Sequence, residues 1–246
     1  MFSTSSKLYY GWFVLGVSTL IVFGISGSQF SFGIFLKPMT EEFGWSRTTL
    51  SLAFGTTFML SGLLRPLAGY LADRYSPRTV ALLGVALMGI TLFLVPFIDS
   101  LINLYLIFAV MSIGITLGTG PTLTKIISSW FYSNRGVVLG IVQGGGSIGA
   151  MVLVPAASIF LILFDWREAY IFLGILLMLV VIPLAVVFLK NSPEEVGLKP
   201  RGSGDDVVAN DFYNFTHGIV LSNRDVGFRE AIRSPFFWSL TFGYFV

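Results

Sequence analysis

The chain lacks cysteine entirely and holds a single histidine, His217, in 246 residues. Disulfides and thiolate metal centres are therefore excluded, and the redox compartment leaves no trace in the sequence. One histidine removes most zinc sites and most imidazole-based catalysis. No metal and no cofactor is expected. Charge is also scarce: 11% of residues are Asp, Glu, Lys or Arg, against about 25% in a soluble domain. A water-soluble globule of this size could not cover its surface with so few charges. The net charge of +2 is too small to imply nucleic acid. No cleavable signal peptide is visible, because the first apolar run is far too long for an h-region.

What is present is apolar. Hydrophobic residues make up 54% of the chain, with 24 Phe, and the mean hydropathy is +0.82. That excludes a disordered chain, which needs low hydrophobicity to stay solvated. A polytopic membrane protein remains, with the lipid bilayer as its main partner.

A membrane span needs about 20 apolar residues. Charges used as punctuation divide the chain into six such runs. They are Tyr9 to Leu36, Thr48 to Ala72, Thr79 to Ile98, Leu101 to about Trp130, Gly136 to Phe164, and Ala169 to Leu189. The runs are continuous rather than alternating, which excludes a barrel. Their short connections suit antiparallel helices in an all-α bundle. A polar stretch follows, broken by Pro193, Gly197, Pro200, Gly202 and Gly204. A new apolar run opens at Phe236 and stops at Val246, too short to cross a bilayer. The expected organisation is a six-helix half over 1–190, a linker over 191–234, and the start of a seventh helix over 235–246, inside which the chain breaks off.

Lys and Arg in the loops set the orientation. With the N-terminus inside, Lys7, Arg74, Arg78, Arg135, Lys190, Lys199, Arg201, Arg224, Arg229 and Arg233 are cytoplasmic, and only Lys37, Arg47 and Arg167 are outside. The expectation is a multi-pass protein of the plasma (inner) membrane with N-terminus and linker in the cytoplasm. Tyr9, Tyr10 and Trp12 are expected at the inner lipid interface, and Trp45 and Trp166 at the outer one.

An ionisable residue within a span is costly and points to function. Two qualify, Arg65 and Lys125. Arg65 precedes Asp73 by eight residues, about 12 Å of helix. Lys125 precedes Arg135 by ten residues, about 15 Å at most. Neither has an acidic partner within a span, so an anionic substrate in a water-filled cavity would offset them. The plain alternative is that both side chains snorkel along their stems to the inner headgroups.

The first run carries Ser26, Ser28, Gln29 and Ser31. Gln29 is the binding candidate of the four, while the serines suit interhelical hydrogen bonds. The fourth run has Gly114, Gly118, Gly120 and Pro121 just before Lys125, a softened stretch tolerated beside a cavity. Thr122 lies one turn from Lys125 and adds a donor. Residues 143–149 contain a formal G-x-G-x-x-G, but inside an apolar run it is no dinucleotide site. Close packing through Gly140/Gly144 and Gly145/Gly149 is expected instead. His217 reads as a solvated loop histidine.

The second run ends in Gly69-Tyr70-Leu71-Ala72-Asp73-Arg74-Tyr75-Ser76-Pro77-Arg78. A charged turn like this can hold a neighbouring helix end in one conformation and release it in another, or simply anchor topology. The segment resembles the helix 2–3 signature of the major facilitator superfamily, commonly G-x-x-x-D-R-x-G-R-R. Gly69, Asp73, Arg74 and Arg78 match, whereas Ser76 and Pro77 depart from it. Pro77 is similar to the monocarboxylate and oxalate–formate exchanger branch. So are Phe32-Gly33-Ile34-Phe35, Glu42 to Arg47, Trp130-Phe131 with Arg135-Gly136, Ser192-Pro193-Glu194-Glu195, and Phe228 to Ala231. The resemblance covers nearly the whole chain.

It implies a twelve-helix transporter of two six-helix halves, each an inverted 3+3 repeat. This chain would supply the first half. The implied activity is alternating-access transport of a small organic anion, a monocarboxylate or dicarboxylate, by proton symport or anion exchange. Protons enter only as a coupling ion, and protein partners are left open. On the depth argument, and not from the resemblance, Lys125 and Arg65 are expected substrate contacts, with Gln29 and Thr122 as hydrogen-bond donors; Gly69, Asp73, Arg74 and Arg78 are the expected cytoplasmic gate. The competing readings are a transporter-like solute sensor and a carrier of neutral or drug-like solutes. An intramembrane enzyme is not expected, since no catalytic set is present.

Overall fold

The structure, a computed structural model, describes residues 9–202 except 133, together with 233–235, 238 and 239. Six helices are long and apolar enough to span a membrane. They are α1 (Gly11–Phe43), α2 (Arg47–Arg74), α3 (Pro77–Phe97), α4 (Leu101–Trp130), α5 (Arg135–Leu163) and α6 (Trp166–Phe188). They match the six apolar runs, with ends displaced to the capping residues. Side-chain oxygens accept from the first backbone amides of four helices: Ser46 from Thr49 (3.1 Å), Ser76 from Thr79 (3.5 Å), Ser100 from Asn103 (3.3 Å) and Asp165 from Trp166 (2.7 Å). Pro77 occupies the first turn of α3, where its missing N–H leaves nothing unpaired. Gly44 closes α1 with φ +68°.

The turns alternate between two ends of the bundle. The proximal face carries the start of α1, the α2–α3 and α4–α5 turns, and the end of α6. The distal face carries the other three turns. α1 packs along α5 and α6, and α4 packs along α2 and α3. These are corresponding partners in an inverted repeat of α1–α3 and α4–α6. The helices form a row α5–α1–α4–α2, with α3 and α6 packed together behind it.

Two helices are interrupted, each the first of its repeat. α1 breaks at Ser31 after a 20-residue segment, and α4 breaks at Thr119–Gly120 after an 18-residue segment. They enter from opposite faces, so the breaks lie on opposite sides of the bundle. At Gly120 φ is +55°, a conformation that costs a side chain but not glycine. Gly114 and Gly118 have a different role. A Cβ on Gly118 would lie 2.5 Å from Ile25 Cδ1, and one on Gly84 of α3 would lie 2.1 Å from the Gly118 nitrogen. Both let helices cross in near-backbone contact. α6 contains a π-helical stretch, Leu176–Val181, just before Pro183.

The α5–α1 crossing rests on one glycine pair of the two expected. A Cβ on Gly145 would meet Thr19 O at 2.7 Å, and one on Gly149 would meet Phe23 O at 2.2 Å. Gly140 and Gly144 have nothing within 4 Å of that position. They lie on the opposite side of α5 and take no part in the crossing.

After α6 the chain turns back onto the proximal face. Asn191 Oδ1 accepts from Ser76 Oγ (3.0 Å) and from the Arg78 amide (2.8 Å), which caps the start of α3. Its carbonyl accepts from Ser129 Oγ at 2.6 Å. Trp130 Nε1 donates to Lys190 O, and the Arg201 amide donates to Trp130 O. Residues 190–202 thus bind the ends of α3 and α4. Most of the expected linker, His217, the 228–231 lead and nearly all of the expected seventh helix lie outside the described residues. Of Gly204–Val246, a separate unit, Arg233, Pro235, Trp238 and Ser239 are helical.

Candidate functional site

Lys125 has an acidic partner after all. Its Nζ lies 2.6 Å from Asp73 Oδ1 and donates to Ala72 O at 2.9 Å. The ammonium of α4 therefore sits on the C-terminal end of α2, where helix dipole and carboxylate both favour positive charge. Sequence reasoning missed the pair because Asp73 sits at the span boundary while the Lys125 backbone is well inside it. The lysine stem covers the difference. Both groups keep substantial solvent exposure, 44% for Lys125 and 73% for Asp73. Such a pair contributes at most about 1 kcal/mol.

Arg65 differs. It is exposed on α2, about 12 Å of helix from Asp73, and makes no hydrogen bond or ion pair with any described residue. The other two expected contacts lie inside the packing. Gln29 is 7% exposed and Thr122 is fully buried, its Oγ1 without a partner among the described residues. The α1 serines do not bond across helices. Ser31 donates to Gly27 O of its own helix, Ser28 has no partner among the described residues, and Ser26 sits against Gly146 of α5.

The surface that holds Arg65 is organised. The buried stripe of α2 is Leu50, Ala53, Thr57, Ser61, Ala68 and Ala72. Stepping about 100° per residue places two kinds of surface beside it. One sector carries Ser51, Gly55, Phe58, Gly62 and Arg65; the other carries Leu52, Met59, Leu63 and Leu67. α5 is divided the same way. Gly136, Gly140, Gln143 and Ser147 share one sector, and Val137, Ile141, Ile148, Val152 and Ile159 the other. α2 and α5 stand at opposite ends of the row and run in opposite directions. In a right-handed helix, the same rotation away from the packed stripe then turns the Arg65 and Gln143 sectors toward one side of the row. The bulky apolar sectors turn to the other side, as suits lipid.

At the proximal face, Gly69 lies opposite the α4 break, 4.0 Å from Pro121 Cβ at its Cβ position. Arg74 Nη1 donates to Tyr70 OH at 2.8 Å, and Arg78 Nη2 donates to Val186 O of α6. Tyr9 and Tyr10 tie distant segments together at this face. Tyr9 OH donates to Trp130 O (3.0 Å) and Lys199 O (3.1 Å), and Tyr10 OH to Phe188 O (3.2 Å). Burial raises the Tyr9 pKa, which keeps the phenol a donor.

The distal face holds a cluster that the sequence did not single out. Arg167 Nη2 and Nη1 meet Glu42 Oε1 and Oε2 at 2.5 and 3.0 Å, and Nη1 reaches Asp165 Oδ2 at 3.3 Å. Its Nε donates to Pro96 O at 3.2 Å, and Trp166 Nε1 donates to Glu42 Oε2 at 2.7 Å. One guanidinium thus joins the ends of α1, α3 and α6 in a two-pronged carboxylate contact. Trp166 is 1% exposed and belongs to this cluster, not to a lipid interface. The only earlier signal was that Arg167 is one of three basic residues on this face.

The comparisons agree with this architecture. The chain is 24% identical over 234 residues to the oxalate:formate antiporter of Oxalobacter formigenes, covering 95% of this chain and 51% of that protein. It is 30% identical over 173 residues to monocarboxylate transporter 1 of Mus musculus, covering 69% of this chain and 34% of that one. Another relative is named as a riboflavin transporter, from Trypanosoma brucei brucei. Among solved structures it matches an inward-facing, unoccupied bacterial homologue of the human lysosomal transporter Spinster. The TM-score is 0.71 at 21% identity, covering 97% of this chain and 52% of that one. The chain spans between about a third and a half of the relatives it matches. Its fold is the six-helix half bundle of the twelve-helix transporters, a non-catalytic architecture. Residues 18–246 match the model of the Major Facilitator Superfamily, and the chain belongs to that family.

Proposed function

We propose that the protein is a secondary transporter of a small organic anion, a monocarboxylate or dicarboxylate, working by alternating access. The observation that carries this reading is Arg65, an exposed cation about 12 Å into a span with no partner among the described residues. An unpaired charge at that depth is expensive in lipid and tolerable in a water-filled path. An anion in that path offsets it. The named cargo of two relatives, oxalate and formate in one and monocarboxylates in the other, supports the same class.

In this reading the membrane is the plasma membrane and the proximal face is cytoplasmic, the latter as the distribution of Lys and Arg suggests. Lys125 exchanges partners. In the present conformation it holds Asp73, and in another its ammonium turns to the substrate. Asp73, Arg74 and Arg78 act as the cytoplasmic gate with Gly69: Asp73 binds a side chain of α4 and Arg78 the end of α6, while Arg74 bonds Tyr70 within α2. Gln29 and Thr122 enter only if the α1 and α4 breaks open their packing. Among the described residues no acid lies on the open face near Arg65, so proton symport would draw its acid from elsewhere and anion exchange would need none.

Uptake of labelled lactate, pyruvate, formate and oxalate by cells expressing the intact protein, with and without a pH gradient, tests the proposal. Saturable uptake abolished by Arg65→Gln supports it. Absence of uptake in protein shown to reach the membrane would sink the anion class and bring forward a neutral or drug-like solute, or a sensor. The engagement of Lys125 by Asp73 is the observation that favours a neutral cargo, because among the described residues it leaves Arg65 as the one unpaired cation deep in a span.

A further inference from the structure

We propose that the break in α4 is the seat of the transported carboxylate. The start of its second segment, Pro121–Trp130, offers backbone amides and the Thr122 hydroxyl to the anion, and Arg65 faces it from α2. The inference deepens the anion reading and rests on it.

The break leaves donors over. Thr119 ends the first segment, with its amide and its Oγ1 both donating to Ile115 O (3.1 and 2.7 Å). Gly120 then turns the chain at φ +55°, and nothing lies within 4 Å of its Cβ position. Gly114 and Gly118, by contrast, are crowded by neighbouring helices. The second segment starts without a side-chain cap. Pro121 has no N–H, and the Thr124 amide donates to Gly120 O at 3.0 Å. The amides of Thr122 and Leu123 are left as first-turn orphans.

A second observation falls in the same turn. Thr122 is fully buried, and its Oγ1 has no partner among the described residues. An enclosed, unpaired hydroxyl is costly, and a valine of the same shape would avoid that cost. As the second residue of the segment, Thr122 places its hydroxyl beside the two orphan amides. Two N–H groups and one O–H thus collect at the positive end of a ten-residue helix, which suits an anion.

Arg65 is near enough to share that anion, because α2 and α4 are packed neighbours. Gly69 of α2 lies opposite the break, its Cβ position 4.0 Å from Pro121 Cβ. Arg65 is one turn from Gly69 on the same side of α2, where positions i and i+4 are about 5–6 Å apart. The depths agree as well. Pro121 precedes Trp130 by nine residues, about 14 Å of helix, against about 12 Å for Arg65. A guanidinium and a helix start carry charge of the same sign, so an anion between them relieves both. One carboxylate oxygen meets the guanidinium, and the other meets the amides and the hydroxyl. Thr119, Gly120 and Pro121 are part-exposed while Thr122 is closed in. Gly120 is the pivot on which the second segment tilts to present the hydroxyl.

Thr122→Val and Thr122→Ser in the intact protein test this. Uptake of labelled lactate, formate and oxalate would be measured in liposomes, and thermal unfolding in detergent with and without the same carboxylates. Thr122→Val should raise KM for the transported carboxylate about tenfold with kcat little changed, the loss of one hydrogen bond to a charged group. It should also lose most of the rise in unfolding temperature that the carboxylate causes. Without carboxylate it should unfold no earlier than the unmodified protein, since it removes an unpaired buried hydroxyl. Thr122→Ser should recover most of the affinity. Unchanged KM in Thr122→Val, with normal carboxylate uptake by the unmodified protein, overturns the site. Earlier unfolding of Thr122→Val without carboxylate also overturns it, because the hydroxyl would then serve packing. Absence of both carboxylate uptake and thermal response in the unmodified protein would be the failure of the anion reading itself, and this site would fall with it.

Discussion

Lys125 Nζ lies 2.6 Å from Asp73 Oδ1 and 2.9 Å from Ala72 O, so a side chain from α4 seals the end of α2. Fifty-two positions separate the two residues in sequence. The contact is half open to solvent and weak in free energy, which makes it easy to exchange. It also spans the two repeats, since α2 belongs to one and α4 to the other.

Asp73→Asn is expected to slow turnover more than it weakens substrate binding. A pair worth about 1 kcal/mol corresponds to a change of roughly fivefold in the gating equilibrium. Lys125→Gln in the same background should add little to the loss of turnover, because the pair is already broken, while raising KM through the lost substrate contact. Transport kinetics on the two single variants and the double one would measure this. Additive effects, or a change confined to KM, would show that the two residues act separately.

Arg65→Gln is expected to reduce kcat/KM for the transported anion by tenfold or more, the scale of a charge-assisted contact. Membrane insertion should be unchanged. Arg65→Lys should keep part of the activity, with charge retained and the planar fork lost. Full activity in Arg65→Gln would return this residue to a snorkelling side chain.

On the distal face, Arg167→Ala is expected to destabilise the bundle by about 1–2 kcal/mol. It leaves Glu42 without its two-pronged partner and Pro96 O without a donor. The contact is partly exposed, which keeps the loss below that of a buried pair. Thermal unfolding of the purified protein in detergent would register the change. Glu42→Gln should cost less, because the amide still accepts from Trp166 Nε1. An unchanged transition in Arg167→Ala would mean that packing of Trp166 and Tyr170 alone holds this end.

Gly149→Val is expected to disrupt α5–α1 packing severely, since even its Cβ would lie 2.2 Å from Phe23 O. Gly144→Ala should be tolerated in folding, with open space at its Cβ position. Expression and monodispersity of the two variants would separate them. Equal loss in both would place Gly144 in a packed contact as well.

Several of these features were legible beforehand. The six spans followed from composition and charge punctuation, because lipid demands about 20 apolar residues and internally bonded backbone for each crossing. Ser46, Ser76 with Pro77, and Ser100 sit where helix starts need a side-chain acceptor. The depth of Arg65 followed from counting 1.5 Å per residue back from Asp73.

Other features depended on contacts between distant segments. Apolar residues face both lipid and neighbouring helices, so hydropathy cannot tell which side of α5 is packed. Gly145 and Gly149 therefore looked no different from Gly140 and Gly144. The partner of Lys125 depended on how far a lysine stem reaches across an interhelical gap. Trp166 carried the composition of a lipid anchor and is enclosed instead by Glu42, Phe43 and Arg167. The amino-acid sequence by itself determined that this chain crosses a membrane six times and carries cations within two of its spans. Only the tertiary structure decided which of those cations is engaged and which is left open, because that depends on which helix ends and faces are brought within a side chain's length of each other.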